Sequence, residues 1–272
     1  MISRKDTYFC KMEKSLSFKN TKISYTDIGQ GAIVVLLHGF LENKKMWGKI
    51  ISEISNKNRI LAIDLLGHGK SGCLGYIHSM ELMAEAVLAV LKSLRIRKVT
   101  IIGHSMGGYV SLAMAEKCPK IIRGLCLLNS TATSDDAVRK KLRTRAIKMV
   151  QNNFTNMVKM SFVNLFEQES KNLFKSEIDA ALVEALTIPL QGYIACQEGM
   201  RIRPDRTNIL KKNTFKKLMI HGKKDPVLNT NTSLKEAKQT NSEIVVLSGG
   251  HMSYIENKIA LIKTIKSFIK NC

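Results

Sequence analysis

The chain contains no stretch approaching eighteen consecutive apolar residues, so it offers no transmembrane helix. Its six cysteines, at positions 10, 73, 118, 126, 196 and 272, form no CxxC pair and no ladder of regular spacings. A disulfide scaffold is thereby excluded. Cys118 and Cys126 lack the nearby His or Cys that a zinc site needs, and free thiols in a reducing compartment is the simpler reading. There is no metal-ligand cluster, no Walker lysine motif and no GxGxxG, so neither metal nor cofactor is expected. The Gly67-His68-Gly69 stretch lacks the third glycine and opens no helix. Aromatic residues make up only 6% and no nucleic-acid module is recognisable, which leaves net charge as the sole argument for a nucleic-acid partner. Internal repeats and low-complexity linkers are missing as well.

Acidic residues are also scarce: 22 Asp and Glu stand against 43 Lys and Arg, a formal charge of +21. The excess is spread along the chain and reads mainly as a solvated basic surface. Its functional alternative is an anionic partner, such as an acidic carrier protein. The first ten residues are basic without an apolar core. They resemble neither a secretory signal nor a lipoprotein signal, since no apolar run precedes Cys10. Met12 serves equally well as a start, and the expected location is the cytoplasm. With 272 residues, 44% hydrophobic and 24% charged, the chain has room for one large domain or for a domain carrying an insertion.

Short buried-type runs alternate with amphipathic stretches. Residues 22–28 alternate like an edge strand, while 32–37 (AIVVLL), 59–64 (RILAID), 99–102 (VTII) and 124–128 read as strands buried on both faces. Helical spacing covers 80–94 and 106–117. This rhythm predicts an α/β fold with a mostly parallel central sheet and helices on both faces. Residues 131–210 break the rhythm and read as an inserted all-helical cap. Ser134 is the expected N-cap of a basic helix ending near Val150, and Ser176 with Asp179 resembles a capping box. Strands return at 217–221 and 243–247, with helices at 231–239 and 255–270. The expected division is a core of 1–130 and 211–272 with a cap of 131–210.

Chemistry concentrates at Gly103-His104-Ser105-Met106-Gly107-Gly108, which follows a buried run and precedes a helix. A serine on such a turn is pushed above the sheet edge, and glycines flank it because side chains there would clash. A serine hydroxyl needs a base, and the base needs an orienting acid. Of the six histidines, His251 alone follows the last strand and precedes the last helix, from where it reaches the carboxyl edge of the sheet. For the acid, Asp225 after the penultimate strand is favoured. Asp64, in a loop better suited to holding shape, and Asp135, after the strand ending near Leu128, remain alternatives. The order Ser105, Asp225, His251 is that of the α/β-hydrolases.

With His38-Gly39-Phe40 after the first buried strand, DLLGHGKS at 64–71, GHSMGG, HGKKDPV and Gly250-His251, the chain resembles a compact bacterial α/β-hydrolase of the serine esterase type with a helical cap, from about residue 14 onward. The resemblance implies a nucleophile elbow and an oxyanion hole built from the backbone N–H groups of Phe40 and Met106. It also places Phe40 in the acyl pocket, beside His38 and His104. A serine nucleophile disfavours the dehalogenase and epoxide-hydrolase reactions of this fold. Arg201 and Arg203 are candidates for holding a substrate carboxylate in the cap. The expected function is hydrolysis of carboxylic esters or thioesters through an acyl-enzyme. The alternatives are C–C hydrolysis or a lyase step of the menaquinone-pathway kind with the same triad, and a small-molecule receptor of the same fold.

Overall fold

Aliphatic and β-branched runs make the strands. β3 (Ala32–Leu37), β4 (Asn58–Ile63), β5 (Val99–His104), β6 (Ile122–Leu128) and β7 (Lys216–Gly222) bury most or all of their side chains, as parallel strands covered on both faces must. The computed structural model describes residues 13–272; Cys10 and the alternative start Met12 lie outside the described residues. With β1 (Glu13–Phe18), β2 (Thr21–Ile28) and β8 (Glu243–Leu247), the strands form one eight-stranded sheet in the order β1-β2-β4-β3-β5-β6-β7-β8. β1 and β2 pair antiparallel, as do β2 and β4, and the remaining pairs are parallel.

The stretch expected as an edge strand is an interior one. β2 lies between β1 and β4, and Ile23, Ser24, Tyr25 and Thr26 are all buried. The edge belongs to β1, joined to β2 by Lys19 and Asn20 at positive φ, the backbone that a two-residue hairpin turn requires. Ser24 and Thr26 have polar side chains, which made the segment look half-solvated.

Helices cover both faces. α1 (Gly48–Ile54) and the last helix, α12 (Lys258–Lys270), pack Ile50, Ile51, Leu261 and Ile265 on one side. α2 (Met80–Ser93) and α3 (Met106–Lys117) pack Met83, Val87, Val110 and Met114 on the other. Between β6 and β7 stand six helices: α4 (Ala137–Val150), α5 (Phe154–Val163), α6 (Ser170–Leu173), α7 (Lys175–Ala185), α8 (Leu190–Ile202) and α9 (Thr207–Lys212). α10 (Thr230–Thr240) links β7 to β8, and α11 (Ser253–Glu256) precedes α12. No single helix among the described residues is long and apolar enough to cross a membrane.

Three local expectations differ from what is observed. α4 is capped by Asp136, whose side chain accepts from the Arg139 N–H, and not by Ser134. The Ser176–Asp179 pair lies inside α7, which starts one residue earlier at Lys175. The final helical stretch is broken at Asn257, whose side-chain oxygen accepts the Gly249 N–H at 2.7 Å and turns the chain.

The helices after β6 pack on the sheet through an apolar cluster that includes Met157, Phe162, Phe166, Ile188 and Tyr193 and that also takes in Leu41 and Met252 from loops at the sheet's carboxyl edge and Ile255 of α11. α8 approaches closely because it carries glycines. A Cβ on Gly192 would collide with the Gly67 carbonyl, and one on Gly199 with the His78 carbonyl. Gly199→Ala is therefore expected to lower stability by about 1–3 kcal/mol. A fall in the urea midpoint with an unchanged slope is the readout.

Candidate active site

β5 ends at His104 and α3 starts at Met106, leaving Ser105 alone to turn the chain. Its φ is +48°, a conformation costing of order 1–3 kcal/mol for a residue with a side chain. The turn fits because neighbours lack side chains: a Cβ on Gly103 would meet the Gly107 carbonyl, and one on Gly107 the Leu37 carbonyl. The Ser105 N–H donates to the Leu128 carbonyl at 2.9 Å, and its own carbonyl accepts from the Gly108 N–H and the Ser130 hydroxyl.

The loop after β8 carries His251 to this serine. Nε2 lies 3.0 Å from Ser105 Oγ, and Nδ1 lies 2.8 Å from Asp225 Oδ2, in the loop after β7. Asp225 is held from its other side: Oδ1 accepts the Val227 and Leu228 N–H groups at 2.7 and 3.0 Å, and Oδ2 accepts from Asn129 Nδ2 at 3.0 Å. Burial alone would raise this carboxyl. The charge and hydrogen bond of His251, with the bonds from Asn129 and Val227, outweigh it and bring the pKa to about 2. Ser105, Asp225 and His251 are thus brought together from three loops at one sheet edge. Neither the Phe40 N–H nor the Met106 N–H, the latter at the head of α3, meets an acceptor among the described residues.

The other candidates are placed elsewhere. Asp64 accepts the Lys44 and Lys70 N–H groups and ion-pairs with Lys44 Nζ at 2.5 Å, so it holds loop shape. Asp135 is buried between Arg143 and Arg203, the latter at 2.7 Å, and does not face His251. Arg203 also stacks on the Tyr109 ring at 3.9 Å, and Arg201 pairs with Glu198. Neither arginine is left free for a substrate carboxylate. His38 is fully buried, with Nε2 accepting the Leu65 N–H at 2.9 Å and Nδ1 donating to the Gly39 carbonyl. His104 is equally buried, between Glu42 and the His251 carbonyl. Phe40 is half-exposed, as is Arg201, and its ring packs edge-on at 5.0 Å against Tyr193 of α8.

Three residues went unnoticed in the sequence. Asn129, at φ +45°, binds Asp225, the Gly250 carbonyl and the Ser253 hydroxyl at once. An Asn immediately after a buried strand was the available signal. Glu256 accepts the Gly250 and Met252 N–H groups on either side of His251, and its second oxygen accepts the Glu167 N–H at 3.0 Å. The His251 N–H itself donates to the Leu165 carbonyl at 3.2 Å, so the histidine loop is tied to the segment between α5 and α6. Glu42 is the third.

A family model describing the alpha/beta hydrolase fold matches residues 32–258. Among solved structures, a thermophilic esterase from Thermogutta terrifontis superposes with a TM-score of 0.89 at 25% identity, covering 95% of this chain and 98% of that one. The esterase EaEST from Exiguobacterium antarcticum superposes with a TM-score of 0.86 at 23% identity, over 95% and 100%. Among curated proteins, the chloroplastic protein PHYLLO of Arabidopsis thaliana is 32% identical over 142 residues, 46% of this chain and 8% of that protein. A putative esterase/lipase of Haemophilus influenzae is 35% identical over 101 residues, 36% of this chain and 33% of that protein. The chain thus spans a third or less of these two curated relatives.

The loops that carry this site lean on neutral histidines. His38, His68 and His78 accept the N–H groups of Leu65, Leu41 and Leu74 through Nε2, at 2.9, 3.3 and 3.0 Å. Such an acceptor is lost on protonation. Burial, the largest cause, lowers all three, His78 to about 4. A folded pKa below the unfolded value of about 6.5 contributes stability that is full above pH 6.5 and is lost as pH falls toward 4. His78 alone is expected to contribute at most about 3 kcal/mol. Urea midpoints between about pH 7 and pH 4 test this, and His78→Gln should flatten part of the fall.

Proposed function

We propose that this chain, which belongs to the alpha/beta hydrolase fold family, is a serine hydrolase of carboxylic esters or thioesters. The observation that carries the reading is a single imidazole spanning Ser105 Oγ at 3.0 Å and Asp225 Oδ2 at 2.8 Å, above a serine held on a strained turn. In this reading, His251 Nε2 takes the Ser105 proton as Oγ attacks the acyl carbonyl. Asp225 fixes the Nδ1–H tautomer and stabilises the imidazolium. The oxyanion forms against the unengaged N–H groups of Phe40 and Met106, where each donor typically contributes about 10²–10³ in rate. His251 then protonates the leaving alcohol or thiol, and later activates the water that releases the acid.

Residues 131–210 act in this reading as a cap that shapes the acyl pocket. Its Phe154 and Tyr193 rings meet edge-on, and Tyr193 meets Phe40 of the loop after β3 in the same way. The Tyr193 hydroxyl is buried without a hydrogen-bond partner, which makes it a polar group available to a bound ester. The C–C hydrolase or lyase alternative is less favoured, because Arg203 is engaged by Asp135 and Arg201 by Glu198.

Hydrolysis of p-nitrophenyl esters from acetate to dodecanoate tests the reading. Ser105→Ala is expected to reduce kcat by at least about 10³-fold and Asp225→Asn by about 10⁴-fold. A rate unchanged in Ser105→Ala would overturn it.

A further inference from the structure

Beside the reacting groups stands a second carboxylate–imidazole pair that the reaction above leaves unused. Glu42 Oε2 accepts the Gly39 N–H at 2.6 Å and lies 2.7 Å from His104 Nδ1. On the other side of the ring, His104 Nε2 lies 3.0 Å from the His251 carbonyl oxygen. A carbonyl only accepts, so Nε2 carries a proton. With Nδ1 donating to the carboxylate, both ring nitrogens are donors, which is the imidazolium form. The side chains are 1% and 2% exposed. In such a pair each charge answers the other; here Oε2 makes both of the carboxylate's hydrogen bonds, and Oε1 is buried without one.

The surroundings agree with an ion pair. The Tyr254 phenol faces Glu42, and its ring stands edge-on to His104 at 6.1 Å. Asp225 adds a negative charge on the His104 side, and His38, which faces Glu42, is kept neutral by burial. Burial opposes charge on both partners, yet their mutual attraction and hydrogen bonds prevail: His104 is raised and Glu42 lowered. The pair also needs Gly39 to have no side chain, since a Cβ there would lie 2.6 Å from Glu42 Oε2 and 2.8 Å from His104 Nδ1.

The three groups that this pair joins are those whose spacing matters. Gly39 precedes Phe40, His104 precedes Ser105, and the accepting carbonyl belongs to His251. We propose that Glu42 and His104 form a buried ion pair that fixes the Phe40 N–H, the Ser105 hydroxyl and the His251 ring relative to one another, making both positioning residues for acyl transfer. The part concerning turnover rests on the serine-hydrolase reading; the ion pair itself does not.

Glu42→Gln preserves shape and keeps an oxygen for the Gly39 N–H while removing the charge. The expected result on the best p-nitrophenyl ester is a fall in kcat of about ten- to a hundred-fold, because a displaced oxyanion donor acts only in the transition state. KM should stay within about two-fold. In parallel, nitrogen-15 NMR of the wild type, with His104 assigned through its backbone connectivity, should show both ring nitrogens protonated at about pH 8, where an ordinary imidazole is neutral. An unchanged kcat, or a loss expressed wholly in KM, overturns the positioning role. A neutral His104 ring at about pH 8 overturns the ion pair. If the wild type hydrolyses no ester, or Glu42→Gln does not fold, the ring-proton measurement decides alone: doubly protonated sustains the ion pair and neutral removes it. The first of these outcomes also counts against the serine-hydrolase reading, which the NMR measurement leaves untouched.

Discussion

The tight approach of the α3 N-terminus to the ends of β3 and β5 is the constraint from which the site follows. Ser105 at φ +48° is the only residue between strand and helix, and its strain of about 1–3 kcal/mol persists because the surroundings over-determine it. The Leu128 carbonyl, the Gly108 N–H and the Ser130 hydroxyl all bind its backbone, each at about 0.5–1.5 kcal/mol net. Bare glycine backbone at 103, 107 and 108 lets helix and strands close to contact. Once the serine is fixed, the loops after β3, β7 and β8 need only lean on one another to complete the arrangement.

How the chain handles its large basic excess explains why two arginines left the expected site. Interior cations have matched acids: Lys44 with Asp64 and Glu13, Arg143 and Arg203 with Asp135, Arg206 with Glu81 and Glu116. Buried charge without such pairing is strongly destabilising, so Arg143, Arg203 and Arg206 are claimed by carboxylates of the fold itself. The unclaimed charge turns outward, as at Lys140, Lys141, Arg145 and Lys148 on the exposed face of α4. Arg139, Arg143 and Arg203 sit on inward faces and hold α4 and α8 down, Arg139 through the Val227 carbonyl.

What the sequence disclosed divides along physical lines. Strands buried on both faces announce themselves as continuous aliphatic runs, and β3, β4, β5, β6 and β7 were all legible. So was the tight turn at Ser105, because only glycine tolerates its contacts, and Ser105, Asp225 and His251, picked from their positions after β5, β7 and β8, are brought within hydrogen-bond distance of one another. β1 and α1 carry no such run, and β2 looks like an edge because Ser24 and Thr26 are polar yet buried, Ser24 under a Lys44–Glu13–Asp64 network that no local pattern shows. Helix boundaries between β6 and β7 were blurred, because α7 and α8 begin without a side-chain cap. The burial of His38, His104 and Arg203 is a tertiary fact. Each carries the residue type of a ligand-binding group, and only the fold reveals that Leu65, Glu42 and Asp135 already occupy it.

The hydrogen bond from the His251 N–H to the Leu165 carbonyl, with the shared carboxylate of Glu256, ties two different duties together. The backbone around His251 is anchored on the same segment, 164–167, that leads from α5 to α6. Any outward swing of that segment strips the histidine loop of two of its supports. The seating of segment 164–167 and the aim of the imidazole therefore cannot be altered independently: what loosens the one loosens the other.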